Sequence, residues 1–462
     1  MYKNLLQAPA LKPTLLFAVV LTRSFLILIH QHTTMLPSDK EKTTGDCLYL
    51  FQTNQRLRDN PSLQYAYLHY WKVVPVLVVP DEAYSYEYGA TQEMGVHRRR
   101  FLLESALALK EALLQKGIEL ILLRGNGHTA QRLKEICQAY ALEEVVTSYP
   151  RSTYEKERLA KVCQVAKVYT FEDDTLLAAE DLPFLNMPKS YSSFRKKVEA
   201  VLNVRDLTQN PVFNAFKNTQ GLGDEFELPD GELSEKTAHP LHGGEKAAWE
   251  RLNHYFWETK ALAQYKKTRN GLIGADYSSK FSAYLALGNL SPVQIYYTIK
   301  DFERQVEKNN STYWLFFELL WREFFIWVTE KHGAAIFQLG GIQKRRDINP
   351  SEDQAAFERW CQGETAHPFV NANMRELVET GYMSNRGRQN AASYLIHDLG
   401  IDWRWGAAFF EKHLVDYDVS ANWGNWMYIA GVGNSSRDVV FDVNQQQRHY
   451  DGNGDYVRLW NT

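Results

Sequence analysis

The sequence is poor in cysteine, in patterned charge and, over its first half, in tryptophan. Its four cysteines, at 47, 137, 163 and 361, form no CxxC pair and no Cys/His cluster. That excludes a zinc ribbon or an iron–sulfur site and suits reduced thiols in a cytosolic protein. Lys and Arg number 52 against 55 Asp and Glu, a formal net charge of −3, so no global basic field marks a nucleic-acid binder. A membrane-length apolar run is also missing. The stretch TLLFAVVLTRSFLILI, residues 14–29, is short and carries Arg23 at its centre, where a charge costs about 3 kcal/mol. No small-residue cleavage site follows it. Residues 1–46 are therefore read as an N-terminal extension, disordered or wrongly assigned as a start.

What is present is an ordinary globular composition, 45% hydrophobic and 23% charged over 462 residues, enough for two or three domains. Tryptophan divides the chain: only Trp71 lies in residues 1–248, and the other eleven of the twelve follow. The two halves also differ in pattern. CLYLF (47–51), VVPVLVV (73–79), IELILL (118–123) and EVVTS (144–148) read as strands, with amphipathic helices over 97–116 and 128–141 between them. Near-continuous apolar strands alternating with helices predict a doubly wound parallel sheet over residues 47–172. Pro75 is expected at the entry of its strand. Residues 173–243 mix Pro, Gly and charge without period and read as a long connector. From 244 to 462 the pattern is helical, for example over 246–264, 281–305 and 311–331, with Ser291 and Pro292 as a helix start.

The helical half carries five local sequences in order: YKKTRNGLIGADYSSKFSAYLALG (265–288), ELLWREFF (318–325), NMRELVETGYMSNRGRQNAASYL (373–395), DWRWG (402–406) and DYDVSANWGNWMY (416–428). Together they closely resemble the photolyase/cryptochrome family, and NRGRQ and NWGNWxY point within it to the cryptochrome DASH branch. The resemblance covers 244–462 through motifs and 47–172 through fold pattern. It implies an N-terminal α/β doubly wound domain joined by the connector to an all-α FAD-binding domain.

The residues support this reading and leave plainer ones open beside it. Ser278 and Ser279 stand in a polar turn before an apolar helix, where hydroxyls and free N–H groups suit a pyrophosphate as well as a simple cap. The resemblance implies that Tyr265, Ser278, Ser279 and Ser282 hold the ribityl and phosphate part of FAD. Arg388 cannot lose its proton and needs a carboxylate when buried; the family pairs it with Asp416 beneath the flavin ring and sets Asp418 at the pyrimidine edge. Asn385 and Arg386 are expected near the same cofactor. Asn422 is placed at flavin N5, where an amide can donate or accept.

Trp426 follows Asn422 by four residues and so shares its helix face. With Trp403 it resembles the inner members of a tryptophan chain that carries electrons to the flavin, although core packing is the common job of an indole. The outer member is expected near 350, where Pro350 and Ser351 stand; Trp360 and Trp405 are the substitutes at hand. Glu318 and Trp321 are i and i+3 on one face. The resemblance puts them with Gln389 and Tyr428 around a pocket for a flipped pyrimidine dimer, stacked on Trp321 and hydrogen-bonded by Glu318. Lys344, Arg345 and Arg346 are either a phosphate contact or a solvated loop.

The family also implies a methenyltetrahydrofolate antenna, but the first half departs from its pattern. Gln52 and Asn54 replace an expected Arg and Asp, Gly95, Val96 and His97 stand for a Gly-Pro-Trp, and PRSTYEKE (150–157) lacks a clear folate carboxylate. The expected protein is a cytoplasmic monomeric flavoprotein without metal. It splits cyclobutane dimers in single-stranded DNA by light-driven electron transfer, or alternatively signals blue light through DNA or a protein partner with little or no repair.

Overall fold

The computed structural model describes residues 45–461 apart from 82–92, 127, 165, 219, 231–232, 239 and 436–438. Residues 1–44 of the expected extension lie outside the described residues, and Asp46 already opens the first strand.

Five strands, β1 (Asp46–Phe51), β2 (Lys72–Pro80), β3 (Ile121–Gly125), β4 (Glu144–Ser148) and β5 (Lys167–Phe171), form one sheet in the order β3-β2-β1-β4-β5. Every neighbouring pair is parallel. Helices α1 (Pro61–His69), α2 (Val96–Leu114), α3 (Thr129–Ala139) and α4 (Thr153–Val162) make the crossovers. The central strand is buried from Cys47 to Phe51, as a strand covered on both faces requires. Strand order reverses between β1 and β4, so a crevice opens at their C-terminal ends.

Three strand details differ from expectation. Pro75 is inside β2, paired with Tyr49, rather than at its entry. The ladder to β3 begins only at Val76, so at Pro75 the strand has a sheet neighbour on one side and the missing N–H is tolerated. The third strand begins at Ile121 rather than 118, because Ile118 bridges to Phe216 of the connector. The edge strand β5 was not anticipated: only Val168 of KVYTF is buried, and the apolar signal is correspondingly weak.

Residues 173–243 hold one helix of note, α5 (Tyr191–Ala200), started by the Ser190 side chain. The stretch after it is strapped to the sheet domain where Arg205 pairs with Asp59, whose carboxylate also accepts the Thr208 amide. Arg56 joins the halves. It is fully buried and donates to the carbonyls of Asp59, Asp173 and Gly288.

The rest is helical among the described residues: α6 (Glu245–Asn253), α7 (Ser282–Leu287), α8 (Pro292–Gln305), α9 (Asn310–His332), α10 (Gln354–Gln362), α11 (Pro368–Thr380), α12 (Asn385–Ser393), α13 (Trp403–His413), α14 (Val419–Ile429), α15 (Val443–Tyr450) and α16 (Asp455–Trp460). The helix expected over 281–305 is two. Gly288 turns at φ +70°, and a Cβ there would fall 2.0 Å from the Thr53 carbonyl oxygen, so the chain must bend around the β1 loop. Ser291 then caps α8, with Pro292 in its first turn. Helix α14 lies tight against α9 because Gly424 has no side chain; a Cβ would meet the Phe325 ring at 2.3 Å. Among the described residues no helix is long and apolar enough to cross a membrane.

Candidate functional site

A short loop and three helices converge on one cleft. Asp402 caps α13 and Asp418 caps α14, each accepting a backbone amide of the first turn, while Ser384 caps α12. These starts aim Asn385, Arg388 and Gln389 of α12, Asp416 and Asp418 of the loop, and Asn422 and Trp426 of α14 into an open cleft of about 90 Å³. Seven of the residues singled out from sequence thus line the same space.

Inside it, Arg388 donates to Asp416 at 2.8 Å and to the Met383 carbonyl at 2.9 Å. Burial works against the charged guanidinium, but Asp416 outweighs it and the net shift of Arg388 is upward. The Asn422 amide nitrogen donates to the Ala407 carbonyl of α13, which fixes the amide's orientation. Asp418 also stands 3.7 Å from Arg322 of α9.

The serine loop adjoins this cleft through aromatic rings. Arg251 of α6 gathers the loop by donating to the carbonyls of Ala275, Ser278 and Ser279 and by pairing with Asp276 at 2.7 Å. Lys280 follows in the left-handed region at φ 58°. Its ammonium is buried over the rings of Tyr277 (3.8 Å) and Tyr382 (4.5 Å), and Arg388 lies over the same Tyr382 ring at 5.5 Å. Ser279 is buried, whereas Ser282 is exposed in the first turn of α7.

The fit to a bound dinucleotide can be judged from what is left unsatisfied. The Lys280 ammonium and the side-chain oxygens Gln389 Oε1, Asn390 Oδ1 and Asp416 Oδ1 are buried without a hydrogen bond. Buried polar groups are normally paired, so a cationic end beside serines and a polar edge near Asp416 suit a ligand with an anionic linker and a hydrogen-bonding ring. Lys280, Arg251 and Arg269 were not singled out from sequence; Lys280 sits inside the DYSSKFS motif, which was the available signal.

Glu318, Trp321 and Tyr428 form a neighbouring group. Trp321 of α9 and Tyr428 of α14 meet edge-to-face with centroids 6.2 Å apart. Glu318 is ion-paired to Arg269 at 2.9 Å. Burial raises its pKa and the Arg269 charge partly offsets this. Tyr265 is buried beside the pair. Gln389 lines the Arg388 cleft.

Two residues fall elsewhere. Arg386 does not line the cleft; it donates to Asn270 and Gln446 and lies over the Tyr450 ring at 4.6 Å. Trp403 starts α13, donates to the Leu339 carbonyl and meets Trp423 edge-to-face at 5.6 Å. Trp426 meets Phe410 at 5.0 Å and Trp360 at 6.3 Å. In the basic run, Arg345 is occupied by Asp347.

In the sheet domain, Gln52 donates to Thr147 and the Ser148 carbonyl, and Asn54 is buried against Tyr49, Ser62 and Asp173. Glu155 closes a capping box at the start of α4. These side chains serve the fold.

Comparison with known proteins places both halves. Residues 47–213 match the DNA photolyase family model and residues 314–461 match the FAD binding domain of DNA photolyase. Cryptochrome DASH of Xenopus laevis is 42% identical over 428 residues, 89% of this chain and 81% of that protein. Cryptochrome DASH of Natronomonas pharaonis is 41% identical, covering 89% and 88%. The crystal structure of a Synechocystis cryptochrome superimposes with a TM-score of 0.82 at 36% identity, over 91% of this chain and 89% of that one.

Proposed function

The chain belongs to the photolyase/cryptochrome family, on its cryptochrome DASH branch, and on that premise we propose that it repairs cyclobutane pyrimidine dimers in single-stranded DNA under blue light. Bound FAD supplies the light-absorbing, electron-carrying group. Tyr265, Ser278, Ser279 and Lys280 would hold its phosphate side; Asn385, Arg388, Asp416, Asp418 and Asn422 would hold its ring. In this role Arg388 holds a fixed positive charge against the Asp416 carboxylate, and the Asn422 amide offers either polarity of hydrogen bond.

The observation that carries the reading is the placement of Glu318 and Tyr428 beside Trp321, with Tyr428 on the same helix as Asn422 and Trp426 of the Arg388 cleft. Trp321 gives a flat face for a base, and the Glu318 carboxylate gives an acceptor. Extracting a base from a duplex costs a few kcal/mol of unstacking, least when the strand is already single. Glu318 and Tyr428 make the pocket polar, so it repays less of that cost, which favours single strands. Blue light on the flavin-loaded protein should restore thymines in an irradiated single-stranded oligonucleotide.

The Arg269–Glu318 ion pair favours a second reading, light sensing with little or no repair, because it already engages the carboxylate meant for the lesion. Bound flavin absorbing blue light without any repair is the result that selects it. A protein that takes up no FAD sinks both.

A further inference from the structure

Tyr191, the first residue of α5, lies outside every motif considered above, yet it makes the closest aromatic contact in the neighbourhood of the proposed lesion pocket. Its ring is parallel to the Trp321 indole, with centroids 3.7 Å apart and planes inclined by 12°. One face of that indole is therefore already covered, while Phe325 lies 5.5 Å away with planes inclined by 30° and Tyr428 meets the indole edge-on. The phenol is pinned as well as stacked. Its hydroxyl donates at 2.8 Å to the Phe317 carbonyl, one turn before Trp321 on α9, and its ring meets Phe317 and Phe324 edge-on at 5.1 and 5.8 Å. Tyr191 is 6% exposed. The Ser190 cap sets the direction in which α5 leaves this contact.

We propose that Tyr191 is a positioning residue for substrate recognition: it backs the Trp321 indole and holds it in one orientation for stacking with a pyrimidine of single-stranded DNA. The role rests on the repair reading, since it assumes that Trp321 carries a base. An aromatic wall of this kind lowers the freedom lost when the base stacks, and preorganisation of that sort raises affinity without a new contact to the ligand. The connector, which otherwise only joins two halves, thereby contributes to the site through α5.

The test uses flavin-loaded protein and a dimer-containing single-stranded oligonucleotide, with the undamaged strand as reference. Tyr191→Phe keeps the ring and should bind the lesion as wild type does. Tyr191→Leu removes the stack and should weaken lesion binding about tenfold, roughly the worth of one aromatic pair, with flavin content and undamaged-strand binding unchanged. In protein labelled with 5-fluorotryptophan, the Trp321 resonance, assigned by its loss in W321F, should broaden in Y191L and stay sharp in Y191F. Tyr191→Met fills the space without a flat ring and replaces Y191L should that variant fail to fold. Lesion preference retained in full by Y191L or Y191M overturns the role of Tyr191. A wild-type protein with no preference for the lesion overturns the repair reading itself, and this inference with it.

Discussion

The indoles of Trp426 and Trp360 meet edge-to-face with centroids 6.3 Å apart, and Trp360 is wholly buried with its N–H donated to the Ala391 carbonyl. Beyond it, Phe357 stacks on Trp360 at 5.9 Å and touches Trp405 at 5.3 Å. A line of aromatic rings thus leads from the Arg388 cleft through Trp426 to the half-buried Trp405, on the side where Pro350 and Ser351 offer no indole. Under the proposed function, Trp426→Phe should slow light-driven flavin reduction strongly, and Trp360→Phe should slow it less. Transient absorption after a light pulse reads both, and wild-type rates in both variants would remove this route.

Asp416→Asn should cost roughly 3–5 kcal/mol, the loss expected when one partner of a buried ion pair is removed. Arg388 would keep its charge in a site where Asp416 provides the balance. The FAD to protein ratio of the purified variant should fall together with its melting temperature. A stable variant with full flavin would show that Arg388 has another counter-charge.

Lys280→Met separates fold from ligand. Burial lowers the pKa of Lys280, and the Glu376 carboxylate only partly offsets this. A buried cation without a hydrogen bond is a cost to the flavin-free fold, so K280M should raise the melting temperature of flavin-free protein. With FAD present the same change should weaken binding, because the cation beside Ser279 is gone. The flavin-free gain should be full below the folded-state pKa of about 7 and shrink as pH rises from there towards the unfolded value of about 10.4, above which Lys280 is neutral in both states. Equal flavin affinity in wild type and K280M would contradict the assignment.

Glu323 links the connector to α9, accepting the Leu176 amide and the Trp327 indole N–H. Burial raises its pKa to about 7. Because the folded-state value lies above the unfolded one, the neutral form carries no penalty below about 4.5. Stability is then lost as pH rises from there through 7. Glu323→Gln cannot ionise, so the melting temperature of E323Q relative to wild type should climb between pH 5 and pH 8, by an amount on the order of 3 kcal/mol in stability. A constant difference across that range would show that Glu323 stays in one protonation state.

Several parts of this protein could be read from local pattern. The apolar runs at 47–51, 73–79 and 144–148 occupy a sheet covered on both faces, so hydrophobicity alone marks them. Arg388, Asp416, Asn422 and Trp426 were legible because the motifs that hold them resemble those of the photolyase/cryptochrome family, and they line one cleft. The edge strand β5 escaped because four of its five residues are not buried. Gly288 splits an apparently continuous helix because the Thr53 carbonyl, from another domain, occupies its Cβ position.

By itself the sequence determined the two-part architecture, through period and composition within short segments, and the family and candidate residues, through the resemblance of its local motifs. Only the tertiary structure decided which groups face one another. Arg269 against Glu318, Tyr191 against Trp321 and Lys280 over Tyr382 join residues 49, 130 and 102 positions apart. Long-range packing brings such pairs together, and no periodicity within either segment encodes the partner.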